Sequence, residues 1–170
     1  KIKLNNFSAN IDLKNLKKYK NIFLKDVIYI PLELEKGNFI FLDKKNTIAG
    51  INDLKLDLKF QEDSIDAILR GKFLNEKVYI DLSSKKINDI ASTDIILKVS
   101  KFNLLAKTNY INSKNDQNLA NGNFLIKKDK HRFVGAFDYK NNELLIKESN
   151  LKNVFFNGNL EGKIKIFPYF

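Results

Sequence analysis

The chain has 170 residues, 44% of them hydrophobic and 12% aromatic, and a formal net charge of +10. That length suits one domain with a sizeable core, and the composition is too apolar for a disordered tail. With no Cys, a disulfide scaffold, a zinc ribbon and a thiol nucleophile are excluded.

The charge is almost entirely lysine: 28 Lys against only Arg70 and Arg132, with Asn (23) and Ile (20) similarly abundant. AT-rich codons supply these three residues, which accounts for much of the +10 without a partner. A dedicated nucleic-acid surface uses Arg for bidentate phosphate and guanine contacts, and this chain has almost none. The longest apolar runs are a few residues, too short to span a bilayer as a helix.

The chain has no Met and opens on Lys1-Ile2-Lys3-Leu4, already alternating like a strand. Residues 1–170 therefore read as one β-rich segment of a longer chain, with no internal boundary. Asp12 to Lys20, with Leu13, Leu16 and Tyr19, tolerates one short helix. Period two, the mark of a half-buried strand, is clearest at Leu54, Leu56, Leu58 and Phe60. After the polar turn Gln61-Glu62-Asp63-Ser64 it resumes at Ile65, Ala67, Leu69, Gly71 and Phe73. The short connection Leu74-Asn75-Glu76-Lys77 leads to Val78, Ile80 and Leu82. Strands joined by such tight turns must be antiparallel.

Ser84 to Ser92 allows a second helical turn, with Ile87 and Ile90 on one side. Alternation returns at Ile95, Leu97 and Val99, and again at Leu104, Ala106, Thr108 and Tyr110. Asn112 to Gly122 is polar and reads as a long loop. Phe133, Gly135, Phe137 and Tyr139 form a further strand, Asn141-Asn142 a hairpin turn, and Leu144 and Ile146 its return. From Val154 the even positions Phe156, Gly158, Leu160, Gly162, Ile164 and Ile166 suggest one long strand, bent or bulged at its glycines.

The expected fold is all-β: an extended, curved antiparallel meander with at most one or two short helices. One apolar face of such a sheet has to be covered, by a second sheet, by closure into a barrel, by a helix or by lipid. A closed β-sandwich or barrel is the alternative to an open groove.

Chemistry is sparse. The single histidine, His131, lies in Lys128-Asp129-Lys130-His131-Arg132, and a lone His among cations is a poor metal ligand. Glu62-Asp63 adjoins a hairpin turn, where acids bond the local backbone. The seven Gly are scattered, so no phosphate loop is formed, and no Ser sits in a nucleophile elbow. No catalytic residue, no metal site and no cofactor are expected. Lysines interleave with aromatics at Lys98 to Phe102 and Lys163 to Phe167. Most of those aromatics share the parity of the aliphatics, which marks packing rather than base stacking. A basic nucleic-acid binder is the third reading, after the groove and the closed module for binding or adhesion.

The strand rhythm carries a family resemblance. The stretch Ile48 to Ser83, with Gly71-Lys72-Phe73-Leu74-Asn75-Glu76-Lys77-Val78-Tyr79-Ile80-Asp81-Leu82, resembles the AsmA-like and TamB-like proteins of Gram-negative envelopes. The close of the chain, Asn157-Gly158-Asn159-Leu160-Glu161-Gly162 leading to Phe167-Pro168-Tyr169, is similar to theirs. The resemblance implies a periplasmic segment anchored to the inner membrane by a helix outside residues 1–170. It also implies a curved sheet whose apolar face carries phospholipid acyl chains between membranes, in the service of outer-membrane maintenance. The lining residues would be Leu54, Leu56, Leu58, Ile65, Ala67, Leu69, Val78, Ile80, Leu82, Ile95, Leu97, Val99, Phe133, Phe137, Phe156 and Ile164. The implied partners are phospholipid, neighbouring β segments of the same protein, and a membrane surface reached through the rest of the chain; nucleic acid is not among them. The chain departs from that family in its high lysine content. Lysines on the outward face or rim would meet anionic head groups.

Overall fold

The computed structural model describes residues 2–12, 30–43, 45–113, 119–141 and 143–165. Strands make up 83% of these residues, and no helix occurs among them. The strands are β1 (Ile2–Asn5), β2 (Ser8–Asp12), β3 (Leu32–Asp43), β4 (Asn46–Gln61), β5 (Ser64–Phe73), β6 (Glu76–Ile87) and β7 (Ile90–Val99). They continue as β8 (Leu104–Ser113), β9 (Leu119–Lys128), β10 (His131–Lys140), β11 (Glu143–Lys152), β12 (Asn157–Asn159) and β13 (Gly162–Lys165). All thirteen belong to one sheet, and from β3 to β11 each strand pairs antiparallel with the next.

Each lateral border is a broken strand. β1 and β2 lie end to end along β3, both parallel to it. β12 and β13 lie end to end along β11, both antiparallel. The two borders do not meet, so the sheet is an open, curved hydrophobic groove. The closed sandwich or barrel is thereby overturned: closure needs the first and last strands to pair, and among the described residues each pairs only with its own inner neighbour. Exposed area agrees. A compact protein of 19.7 kDa exposes about 8,600 Å², whereas this chain exposes 11508 Å².

Turn chemistry accounts for the meander. The β5–β6 connection holds both Leu74 (φ 50) and Asn75 (φ 63) in the left-handed region, the form of a two-residue hairpin turn whose twist matches its strands. Asn88, Asp129 and Asn141 supply the positive φ in the β6–β7, β9–β10 and β10–β11 turns. Lys36, Asp53 and Glu148 adopt positive φ inside β3, β4 and β11, near the points where the registers slip. Such bulges kink a strand and increase its twist, which curves the sheet.

Three sequence expectations change, and a fourth lies largely outside the described residues. Ser84 to Ser92 is the β6–β7 hairpin and not a helical turn; Ile87 and Ile90 are cross-strand partners that bracket Asn88-Asp89. Of the helix expected at Asp12 to Lys20, Asp12 closes β2 and the remainder lies outside the described residues. Of the loop expected from Asn112 to Gly122, Asn112 and Ser113 end β8 and Leu119 to Gly122 open β9, where Gly122 faces Tyr110; residues 114–118 lie outside the described residues. The final strand begins at Asn157 rather than Val154 and breaks at Leu160-Glu161, with its parity intact on either side. Ile166 lies outside the described residues.

Candidate functional site: an open apolar groove

Away from the bulges, alternation along each strand becomes rows across the sheet. One row runs Leu4, Leu34, Leu56, Leu69, Ile80, Leu97, Ala106, Ile126, Phe133, Leu151 and Gly158, one residue from each strand on the path from β1 to β12. It meets no polar side chain. A neighbouring row runs Leu32, Leu58, Ala67, Leu82, Ile95, Thr108, Phe124 and Gly135. A third links Phe60, Ile65, Ser84, Thr93, Tyr110, Gly122 and Phe137. Its Ser84 and Thr93 hydroxyls satisfy each other, with Ser84 Oγ and Thr93 Oγ1 2.9 Å apart and both residues buried.

These rows place the residues expected to line the groove. Leu56, Leu69, Ile80, Leu97 and Phe133 share the first row, Leu58, Ala67, Leu82 and Ile95 the second, and Ile65 and Phe137 the third. Val78 faces Val99 beside them, Leu54 faces Gly37, and Ile164 faces Leu144 on β11. Phe156 is the exception: it belongs to a turn, Asn153 to Phe156, not to a strand. Its ring folds back onto Gly158, where any β-carbon would collide with it. Phe7 lies in the same way on Gly37 at the far border, edge-on to Phe39 with centroids 5.7 Å apart.

Cover over this face is uneven. Leu34, Ile51, Leu54, Val78 and Val99 are buried together, with Phe7, Leu32, Phe39, Leu56, Leu69, Ile80 and Leu97 packed against them. Side chains on the inside of a curved sheet converge, so this face is the inside. From β8 on, the same rows carry the small residues Ala106, Thr108, Gly122, Gly135 and Gly158. Neighbouring atoms close over Gly122, Gly135 and Gly158, whereas a β-carbon at Gly162 meets nothing within 4 Å. Ile126 is 38% exposed and Ile164 40%.

The opposite face is mixed. Asp57, Ile68, Asp81, Ile96, Lys107, Leu125 and Val134 form one of its rows. An open depression of about 430 Å³ is lined by Ile96, Leu125, Asp94, Lys107, Asn109 and Asn123 together with Ile95, Thr108 and Phe124. The next row is cationic: Lys55, Arg70, Tyr79, Lys98, Leu105, Lys127, Arg132 and Lys152. Arg70 and Lys98 each stand 5.5 Å from the Tyr79 ring centroid. Tyr79 donates to Asp81 Oδ2 at 2.8 Å, and that bond, with burial, raises its pKa above the usual phenol value. Lys55 is raised by Glu35, 2.6 Å away, and Lys147 by Asp138, 2.7 Å away. Lys163 bonds Glu143 at 2.7 Å and lowers its pKa, tying β13 to β11.

Sequence reading missed Leu32, Leu34 and Phe39 on β3 and Phe124 and Ile126 on β9. The signal at Leu32-Glu33-Leu34-Glu35 is regular, but the bulge at Lys36 shifts parity before the apolar run Phe39 to Leu42. On β9, three consecutive apolar residues, Phe124-Leu125-Ile126, hide the period. The aromatic Phe102, read as packing, is exposed in the β7–β8 turn.

Among the described residues no three His, Asp or Glu side chains gather as metal ligands. No helix among them is long and apolar enough to cross a membrane. Comparison with protein-family models, with curated proteins and with solved structures finds no match to this chain.

Proposed function

We propose that the chain is a non-enzymatic, lipid-carrying segment of an AsmA-like periplasmic protein, whose groove holds phospholipid acyl chains in transit between inner and outer membranes. The observation that carries this reading is the apolar row from Leu4 to Gly158, which crosses the sheet without a polar interruption. Eleven strands spaced about 4.8 Å apart make a track about 48 Å long, against about 15 Å for one leaflet's hydrocarbon. An acyl chain gains about 0.8 kcal/mol per buried methylene on any such surface, with no directional bond to hold it at one place. A uniform aliphatic track therefore retains a chain and lets it slide. The broken strands at both borders leave backbone groups for neighbouring β segments of the same protein to extend the track.

Native mass spectrometry of the purified chain, with organic extraction, tests the reading. Phospholipid is expected to accompany the native chain and to be lost from Leu56→Asp and from Ile126→Asp, while Ile68→Asp on the opposite face keeps it. Strand content by circular dichroism checks that each variant is folded. A lipid-free native chain, or equal lipid in all four proteins, would sink the proposal.

A further inference from the structure

Successive hairpin turns fall alternately on the two long edges of the sheet, and the edges differ in chemistry. One carries the turns β5–β6, β7–β8, β9–β10 and β11–β12, with the tips Leu74, Phe102 and Phe155. Leu74 is 70% exposed and Phe155 95%. Beside these tips, Lys127, Arg132 and Lys152 stand directly opposite one another on β9, β10 and β11, with no carboxylate partner among the described residues. The other edge turns at Glu62-Asp63, Asn88-Asp89 and Asn141; exposed aliphatics there, among them Ile87, Ile90, Ile111 and Leu119, lie on the strand ends beside acidic or amide residues rather than at the tips.

Three features of the first edge are unfavourable for the isolated fold. A leucine occupies the left-handed region at φ 50, where Asn or Gly is unstrained. A phenylalanine ring is left in water. Like charges face each other across strands. Yet the edge is firmly built. Lys101 pairs with Glu76, and Asn103 Nδ2 donates to Asp129 Oδ1 at 2.9 Å, lashing neighbouring turns together. Asn153 Oδ1 accepts from the backbone N–H of both Phe155 and Phe156 at 2.8 Å, and Asn153 N donates to Phe156 O at 2.8 Å. The tips are thus held out in a fixed row about 29 Å long, six strand spacings from the β5–β6 turn to the β11–β12 turn.

From this geometry we infer that the edge of Leu74, Phe102 and Phe155 docks directly on an anionic lipid bilayer. The tips enter the acyl boundary while Lys127, Arg132 and Lys152 meet lipid phosphates. Fixed apolar side chains flanked by cations are what an interface with an apolar interior and an anionic surface rewards. Leu74 and Val154 have no π-face on which a base would stack, so a single-stranded nucleic acid would use only part of the edge. Docking is separable from groove occupancy, since the tips and cations lie outside the apolar rows.

Flotation of the full chain with phosphatidylcholine vesicles, with and without phosphatidylglycerol, tests this. Binding is expected only to the anionic vesicles and is expected to weaken with salt. Phe155→Ser lowers the affinity about tenfold, and the combined Lys127→Gln, Arg132→Gln and Lys152→Gln variant roughly a hundredfold. Leu74→Asn also weakens binding, yet raises the melting temperature because Asn tolerates the turn, so a folding defect is not the cause. Leu56→Asp loses co-purified lipid but still floats, which keeps failure of the groove distinct from failure of the edge. Native chain that does not float, or edge variants that float equally, overturns the inference. So does single-stranded oligonucleotide binding that the triple variant abolishes and the Phe155 and Leu74 variants leave intact, which assigns the edge to nucleic acid.

Discussion

The stretch from β3 to β7 and the stretch from β8 to β13 obey one alternation rule and arrive at different structures. In the first, Leu, Ile, Val and Phe occupy most inward positions, and Leu34, Ile51, Leu54, Val78 and Val99 close on one another. In the second, Gly122, Gly135, Gly158 and Gly162 take inward positions; neighbouring atoms close over the first three, while Gly162 stays open and Ile126 and Ile164 stay exposed. Parity decides which face is apolar. The volume at each position decides whether that face packs on itself or stays exposed.

The largest effect that would sharpen this contrast lies at Leu54, which is 0% exposed behind the bulge at Asp53. Leu54→Ala should cost about 2–5 kcal/mol in urea unfolding; Ile126→Ala, on the open stretch, should cost far less. Equal costs would mean the two stretches pack alike. Next comes the hydroxyl pair. Thr93→Val strands the buried Ser84 Oγ and should cost about 1–3 kcal/mol, while Ser84→Ala combined with Thr93→Val should be nearly neutral. A double variant as damaged as the single one would show that the pair is not isolated.

A smaller effect has the opposite sign. A β-carbon at Gly162 meets nothing within 4 Å, and the residue does not use positive φ. Gly162→Val should stabilise the chain by about 0.5–1 kcal/mol by restricting the unfolded state and suiting a strand. It should also reduce co-purified lipid; unchanged lipid would place the occupied part of the groove elsewhere. The smallest effect is at the β13 border. Lys163 depresses the Glu143 pKa below its ordinary 4.5, so the tie is complete above that value and is lost as pH falls through the lower folded value. Amide exchange at Lys163 and Lys165 should quicken below pH 4.5 relative to β6, and Glu143→Gln should remove that dependence. A ratio to β6 exchange that stays flat with pH would show that the pair does not hold the border.

Most of the central meander was legible because period two and two-residue turns are local properties. Leu54 to Leu82 and Ile95 to Val99 show this, with Glu62-Asp63 and Leu74-Asn75 between strands as expected. Legibility failed where geometry slips by one residue. The bulges at Lys36 and Glu148 both break parity, and only the first adjoins a glycine, Gly37. The turn at Asn153 to Phe156 interrupts an even-numbered apolar series because the Asn153 side chain captures two backbone N–H groups.

The sequence by itself therefore determined strands, their order, the apolar face and the absence of strong catalytic motifs, all of which follow from spacing along the chain. Only the tertiary structure decided that the borders stay apart, that β1 and β2 run parallel to β3, and that Lys127, Arg132 and Lys152 share one row. These are relations between residues far apart in sequence. Alternation records that a side chain leaves water on one face; what it meets there depends on curvature and register, which accumulate over the whole sheet.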